Sequence, residues 1–446
     1  MICADKKICE KNEIADKFLK AVFVLLLVCA AMGECLTINA ALGGLPKVIS
    51  VGIIAVAVAY AFIKPDIKKL KTMIAPTVLY FSLIVFLMLW SLVIWIMSFS
   101  DTASIIRGGS KMIYQTISIM TAVSAVYMFG FESINLFALS LCITNGLIML
   151  YEVPNYGIAE SISSLIDCIV KFGDTTGYAA RLEIHDLTFV FGQLIIYYAA
   201  FAPKSDLREK KTARKYLAAC IFFFVVGMKR IAIPAVILFV LLALAVRNFK
   251  KGIYFFVIFG SLVIAFFFAY IYGVRTGAVS RIFNLLGIDM MGRDYIWRLT
   301  NKYYTLSPGY MGKGFEFVDT VARQWVEEGL LKAGFMFHND ILKVFVEMGF
   351  PGFLIWSALQ YVIYPIFWLK YADAKTAYLY WCILGYMTIT YLTDNTAFYF
   401  WSTMSLKLVV LAYASFAKKM KIREQSAWKP PTKAEIIDLM ANLSEN

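Results

Sequence analysis

Apolar and polar residues are grouped in long blocks along this chain. Most of these apolar blocks last roughly 17 to 25 residues, which is the length that an α-helix needs to cross a lipid bilayer. The blocks lack the every-second-residue alternation of a membrane β-barrel. They therefore predict an all-α polytopic membrane protein with about twelve transmembrane helices. The predicted spans are 18–40, 45–63, 74–98, 111–130, 133–151, 185–202, 216–228, 231–246, 253–273, 341–369, 376–393 and 397–416.

Composition supports this class. Of the 446 residues, 61% are hydrophobic and 16% are charged, and the mean hydropathy is +0.71. A soluble domain carries about a quarter charged residues, so this much apolar surface needs lipid as its solvent. The formal net charge of +13 would suit nucleic-acid binding in a soluble protein. Here the basic residues flank the spans, so we expect membrane lipid and no nucleic acid as a partner.

The basic clusters predict the orientation. They lie at 64–71, 203–215, 247–252 and beyond 417, close to span ends, as the positive-inside rule requires of cytoplasmic segments. No small-residue cleavage site follows the first apolar run, so we expect a retained helix and not a signal peptide. The prediction is a cytoplasmic N-terminal tail at 1–17, a transmembrane domain at 18–416 and a cytoplasmic C-terminal tail at 417–446.

Two predicted external loops stand out, at 152–184 and at 275–340 between spans nine and ten. Long loops in compact folds are usually functional or disordered. The second loop is rich in Trp, Tyr and Phe, so we expect it to fold as short helices over the external membrane surface.

Arginine is concentrated on this external face, whereas lysine dominates the cytoplasmic clusters. A guanidinium is a planar fork of donors that binds phosphate bidentately. The set therefore favours an anionic headgroup or a pyrophosphate as ligand, with interfacial snorkelling and ion pairing as the structural alternative. Its members are Arg107, Arg181, Arg230, Arg275, Arg281, Arg293, Arg298 and Arg323.

The two histidines, His185 and His338, both begin apolar spans on the same face. An imidazole at the mouth of a membrane cavity suits a general base, because its pKa lies near working pH. A purely structural hydrogen-bonding role is the alternative, and we favour it for His185.

Other chemistry has little support. No Cys-x-x-Cys pair or cluster with metal-ligand spacing is present, so we expect no metal ion or cofactor. Asp289, Asp294 and Asp319 lie among arginines and are expected to form ion pairs. Lys407 lies inside the last span, where a charge is costly without a partner or water, and the sequence identifies no partner.

Four ordered motifs in the second half of the chain resemble the O-antigen ligase and polymerase superfamily. They are Gly292-Arg293-Asp294-Tyr295-Ile296-Trp297, Pro308-Gly309-Tyr310-Met311-Gly312-Lys313-Gly314-Phe315, His338-Asn339-Asp340-Ile341-Leu342 and Glu347-Met348-Gly349-Phe350-Pro351-Gly352. The pair Lys229-Arg230 is similar to the family's Ser-Arg at a helix start, although a lysine replaces the small hydroxyl residue. Asp394 is similar to a late external aspartate of the family. The resemblance covers about 230 to 395.

The resemblance implies a glycosyltransferase in the bacterial cytoplasmic membrane. Its donor would be a glycan on undecaprenyl pyrophosphate, transferred with inversion and without a metal. Flippase and chain-length regulator proteins are implied as partners. The resemblance implies His338 as base and Arg230 and Arg293 as catalytic pyrophosphate ligands.

Further positions are candidates for substrate binding. Asn339 or Asp340 is expected to orient the His338 ring, and Asp394 to contact the acceptor or an arginine. Gly349, Pro351 and Gly352 are expected to kink the start of span ten. The remaining substrate-binding candidates are Arg298, Arg275, Trp297, Tyr303, Gly312 and Gly314.

Four hypotheses of function stay open from the sequence. The first is a polymerase that joins lipid-linked repeat units, and the close second is a ligase that uses the same donor and another acceptor. A transporter or flippase for lipid-linked sugars would distribute charges through its spans, whereas these charges cluster at one face. A non-catalytic export partner would tolerate changes at Arg230, Arg293 and His338.

Overall fold

The structure is a computed structural model that describes residues 6–34, 45–98, 102–160, 162–163, 166, 185–227, 229, 231–249, 252–285, 287, 290, 292–331, 337–392 and 394–427. Within these ranges the chain is helical and has no strand. We number sixteen helices in chain order. They are α1 (Lys6–Met32), α2 (Leu45–Ile63), α3 (Ile67–Ser98), α4 (Thr102–Phe129), α5 (Ser133–Tyr156), α6 (His185–Ile196), α7 (Leu207–Val226), α8 (Ala232–Val246), α9 (Ile253–Arg275), α10 (Ala278–Leu285), α11 (Arg293–Thr300), α12 (Phe317–Glu327), α13 (Asp340–Ala358), α14 (Tyr364–Tyr371), α15 (Ala374–Tyr391) and α16 (Phe400–Ala427).

Five described helical segments are long and apolar enough to cross a membrane. They are Ile67–Ser98, Thr102–Tyr151, Ile253–Arg275, Asp340–Tyr371 and Phe400–Ile422. Three shorter apolar helices accompany them at Lys47–Ile63, Leu187–Phe201 and Ala232–Val246. These segments confirm a helical, polytopic membrane protein. The count of twelve spans, the loop layout and the orientation of the termini stay predictions.

Helix α16 forms the centre of the bundle, where it packs on α4, α6 and α15. Its side chains from Trp401 to Ala414 are mostly buried, and Trp401 and Trp356 of α13 are almost fully enclosed. Helices α3 and α9 instead expose large apolar side chains, among them Ile96 and Tyr254. Such an outward apolar surface is stable when lipid surrounds it.

The basic segment predicted as the cytoplasmic loop 203–215 is largely helical, because α7 already begins at Leu207. Asp206 caps this helix, and its carboxylate accepts a hydrogen bond from the Glu209 amide at 2.7 Å. A capping carboxylate satisfies an amide that the first helical turn leaves unpaired. The local cap therefore extends the helix beyond the apolar run that hydropathy detects.

The predicted loop between spans nine and ten contains the short helices α10, α11 and α12, as expected for its described residues. The predicted kink is also present, because Gly349 in α13 has φ 69° and ψ −175°. A side chain at Gly349 would overlap the backbone of Tyr310 and Met311. The kink therefore lets the loop segment around Gly312 cross directly over α13.

Candidate functional site

His338 lies immediately before α13 with φ 47°, in the left-handed region that L-residues other than glycine seldom adopt. The next residue, Asn339, is the N-cap of the helix, and its side-chain oxygen accepts from the Leu342 amide at 3.0 Å. Such a backbone conformation is costly and is concentrated at functional sites. The imidazole is therefore held at a defined helix start and not on a free loop.

Asp394 is the hydrogen-bond partner of the imidazole. Its Oδ1 lies 3.2 Å from His338 Nδ1, and it also accepts from the Asn395 amide at 2.9 Å and the Tyr399 hydroxyl at 3.4 Å. Burial would raise the pKa of Asp394, but His338, Lys229 and the Asn395 amide together hold that pKa well below its usual range. An ionised carboxylate favours the tautomer with hydrogen on Nδ1 and leaves a lone pair on Nε2.

Lys229 completes this group, which we call the His338 triad (His338, Asp394 and Lys229). Its Nζ lies 3.7 Å from Asp394 Oδ2, and both side chains are largely buried. Lys229 is the residue at which the chain departs from the family pattern. The sequence alone gives this lysine no role, because its contact with Asp394 spans 165 residues of chain and depends on helix packing. Arg230 lies outside the described residues.

A second chain of contacts begins at Asn339, whose Nδ2 donates to the Tyr270 hydroxyl at 2.9 Å. The Arg293 guanidinium, on the first residue of α11, interacts electrostatically with that hydroxyl. Tyr270 belongs to α9, so these contacts join three helices beside the imidazole. Arg293 is thereby linked through Tyr270 to the residue that follows His338, and its catalytic role stays a prediction.

Asn339 and Asp340 do not hydrogen-bond to the imidazole among the described contacts, so the expected orienting role falls to Asp394 instead. Asp340 accepts from the Ala397 amide at 2.7 Å, which ties the start of α13 to the turn that carries Asp394. The prediction assumed that a chain neighbour would orient the ring. The Asn339 side chain does not reach the ring, because it caps α13 and donates to the Tyr270 hydroxyl.

Arg275 and Arg298 have protein partners. Arg275 donates to the Tyr304 carbonyl at 2.5 Å and lies over the ring of Tyr304 at 5.0 Å. Arg298 pairs with Asp294 at 2.9 Å on the exposed face of α11, which is the ion pair expected for Asp294. Their contact with substrate stays a prediction.

Trp297 is only 2% exposed, and its indole nitrogen donates to the Phe337 carbonyl at 3.3 Å. It therefore supports the backbone directly before His338. Tyr303 packs against Phe317 and Trp325. Packing is the role that the structure supports for both rings, and sugar stacking stays a prediction.

Gly312 and Gly314 approach protein backbone closely. The Gly314 amide donates to the Glu347 carbonyl at 2.8 Å, and a side chain at Gly312 would overlap that carbonyl. Both have positive φ values, 101° and 90°. These glycines thus let the loop backbone approach α13 closely, and binding of substrate by them stays a prediction.

A buried ionic cluster beneath the loop was not anticipated. Lys343 of α13 lies 2.9 Å from Glu316 and 2.5 Å from Asp319, and Lys111 of α4 lies 2.8 Å from Glu316. Asp319 was expected to pair with arginine, and its partners are lysines. Burial opposes ionisation of Asp319, but Lys343 and Lys111 hold its pKa below the usual range. The cluster joins α12 to α13 and α4, and so anchors the loop.

The described residues contain no group of three or more His, Cys, Asp and Glu side chains that could hold a metal ion. His185 begins α6, and its side chain lies outside the described part of the structure. The chemistry assembled at the His338 triad is thus that of a base oriented by a carboxylate, with cationic groups beside it.

The fold and site define a helical membrane protein in which a histidine, an aspartate and a lysine from distant segments of the chain are in contact. Residues 216–357 match a family model described as O-antigen ligase. The matched segment contains Lys229, Arg293 and His338, whereas Asp394 lies beyond it. This region of the chain is therefore similar to that family, in agreement with the resemblance that the ordered motifs carry. No curated protein matches the chain.

Proposed function

We propose that this protein is a polymerase of undecaprenyl-pyrophosphate-linked glycan repeat units on the external face of the bacterial cytoplasmic membrane. The observation that carries the proposal is the His338 triad, to which Arg293 is linked through Tyr270 and Asn339, in a chain whose residues 216–357 match a family described as O-antigen ligase. The triad supplies a base for a sugar hydroxyl, and the guanidinium supplies charge for a diphosphate.

The transfer is a single displacement at the anomeric carbon. The acceptor hydroxyl oxygen attacks that carbon, its proton passes to His338 Nε2, and the bond to the diphosphate oxygen breaks with its electron pair. Nε2 makes no hydrogen bond with a described residue, whereas Nδ1 is occupied by Asp394. Asp394 stabilises the imidazolium that forms, as an oriented carboxylate does for a histidine base.

The leaving diphosphate gains negative charge as the bond breaks. Preorganised cations stabilise such charge most effectively where water is excluded. We assign this role to Arg293 and Arg230, with Arg275 and Arg298 as outer contacts. Tyr270, which accepts from Asn339, interacts electrostatically with Arg293.

Orientation, domains and partners are part of the proposal. The lysine-rich segments near 64–71 and 203–215 place both tails, 1–17 and 417–446, in the cytoplasm. Loops 152–184 and 275–340 then face outward, on the side where a flippase delivers lipid-linked units. A chain-length regulator is the further partner.

A ligase is the second candidate, and the description of the matched family as O-antigen ligase favours it. Both activities use the same donor and the same displacement. They differ in the acceptor, which is a second lipid-linked unit for the polymerase and another carrier for the ligase.

The test uses a deletion strain complemented with the wild type, His338→Ala, Arg293→Ala or the exposed control Arg323→Ala. We expect both site variants to accumulate in the membrane and to abolish chain extension, and the control to restore it. Normal polymer in both site variants would remove their assigned roles.

The lipid-linked glycans of the deletion strain separate the candidates. Single repeat units on the outer leaflet indicate the polymerase, and complete polymer that is not attached to its acceptor indicates the ligase. Units trapped on the inner leaflet would overturn both assignments in favour of a flippase.

A further inference from the structure

Lys407 lies about two turns after the start of α16, between the buried residues Leu406 and Leu408. It is partly buried, and it forms no ion pair with any residue in the described ranges. A charged side chain at this depth costs several kcal/mol unless a partner or water compensates it. The groups around Lys407 therefore have to offset the cost of its buried charge.

Lys407 lines an internal cavity of about 50 Å³. The walls come from α3, α4, α13, α14, α15 and α16, and the turn at Ala397 and Phe398 forms one side. One water needs about 10 to 15 Å³ of such volume, so the cavity has room for a small ion with a few waters but not for a lipid chain.

Several polar groups of the wall are already paired. The Tyr80 hydroxyl donates to the Lys407 carbonyl at 3.1 Å, and the Tyr364 hydroxyl donates to the Leu79 carbonyl at 2.7 Å. The Gln115 amide donates to the Phe398 carbonyl at 2.8 Å. These groups already have hydrogen-bond partners in the wall, so they are not required to bind a ligand.

Three wall groups can donate to a ligand. The Gln360 amide nitrogen is buried without a partner, and Tyr380, which carries a hydroxyl, also lines the cavity. The Lys407 ammonium adds three further N–H groups. No Asp or Glu lines the cavity. The cavity thus combines a positive charge with several hydrogen-bond donors and no carboxylate.

We infer that the cavity binds a small monovalent anion of halide size, held by the Lys407 ammonium with Gln360 and Tyr380 as neighbouring donors. A neutral amine surrounded by water is the competing state. A neutral amine has one lone pair and leaves donors unsatisfied, whereas an anion accepts from all of them and also cancels the buried charge.

The position of the anion gives it a structural consequence. It lies beneath the turn that carries Asp394, since Ala397 and Phe398 of that turn line the cavity. The Ala397 amide also donates to Asp340 at the start of α13. Bound anion therefore stabilises the packing of α16 against the helices that carry the His338 triad. This inference is independent of the proposed function, because it concerns binding and stability only.

The test uses the full chain purified in detergent. Thermal unfolding is measured in sodium bromide, sodium chloride and sodium gluconate at equal ionic strength, and bromide is located by anomalous diffraction. The variants are Lys407→Met, Gln360→Leu and the control Lys419→Met, an exposed lysine on the same helix. Gluconate is too large for the cavity.

We expect the wild type and K419M to melt higher in both halides than in gluconate, with a bromide peak beside Lys407. In K407M the halide dependence and the peak disappear, and in Q360L the apparent bromide affinity falls about tenfold, as for loss of one hydrogen bond to a charged group. Equal melting of the wild type in all three salts, or a bromide-soaked crystal without a peak in the cavity, would overturn the inference.

Discussion

Replacing Asp394 with Asn tests the proposed base most directly. The substitution keeps the shape of the side chain and an oxygen that can accept from His338 Nδ1, but it removes the charge that stabilises an imidazolium. The two groups lie 3.2 Å apart, and the Asp394 side chain is 7% exposed. At an effective dielectric constant of about 20, Coulomb's law gives about 5 kcal/mol for unit charges at that separation.

The net effect is smaller for two reasons. The His338 side chain is 25% exposed, so water screens part of the attraction, and the ammonium of Lys229 offsets part of the carboxylate charge. About 3 kcal/mol then remains in the transition state. We expect D394N to lower the rate of chain extension on the order of a hundredfold.

The assay compares the rate at which purified protein in lipid vesicles converts lipid-linked repeat units into polymer, at equal protein amounts. Glu13→Gln is the matched control, because it also removes a carboxylate paired with a cation, in an exposed position far along the chain from the site. A D394N rate within about twofold of the wild type would refute the electrostatic role of Asp394 in the transition state.

A double variant separates catalysis from folding. Asp394→Asn alone removes the carboxylate charge that Lys229 contacts in a largely buried position, which by itself destabilises the fold. Lys229→Met combined with D394N removes both charges. We expect the double variant to accumulate like the wild type and to stay slow. A double variant with wild-type rate would show that Asp394 serves only to neutralise Lys229.

Three further predictions concern the loop and the topology. Lys343→Met leaves two carboxylates without their buried cation and should lower the free energy of unfolding by about 3 kcal/mol, measured by denaturation in detergent. The pKa of Asp319 in the folded protein is lower than its value near 4 in the unfolded chain. The stabilisation that the ionised carboxylate provides is therefore present above about pH 4 and is lost only in stronger acid. The difference in melting temperature between the wild type and D319N should thus stay constant from pH 7 to about 4 and shrink below it. An introduced cysteine should be labelled by an impermeant reagent from outside at position 310, and at 210 only after permeabilisation; the reverse pattern would invert the topology.

The chain by itself determined the protein class. A run of apolar residues predicts a membrane helix because lipid solvation depends on the local segment alone, and the five described spans agree with that pattern. The kink at Gly349 could also be predicted from the sequence, because glycine and proline change the conformation of the backbone at their own positions. Ordered motifs pointed to the superfamily that the match over 216–357 supports.

Only the tertiary structure decided which groups meet. His338 and Asp394 are 56 residues apart, and Lys229 reaches the same carboxylate from a third segment of the chain. Sequence proximity suggested that Asn339 would orient the imidazole, yet the packing of α9 against α13 turns that amide toward Tyr270. The cavity at Lys407 is likewise formed by several helices together. The physical reason is that helix formation depends on local composition, whereas a site depends on distances between segments that only packing brings together.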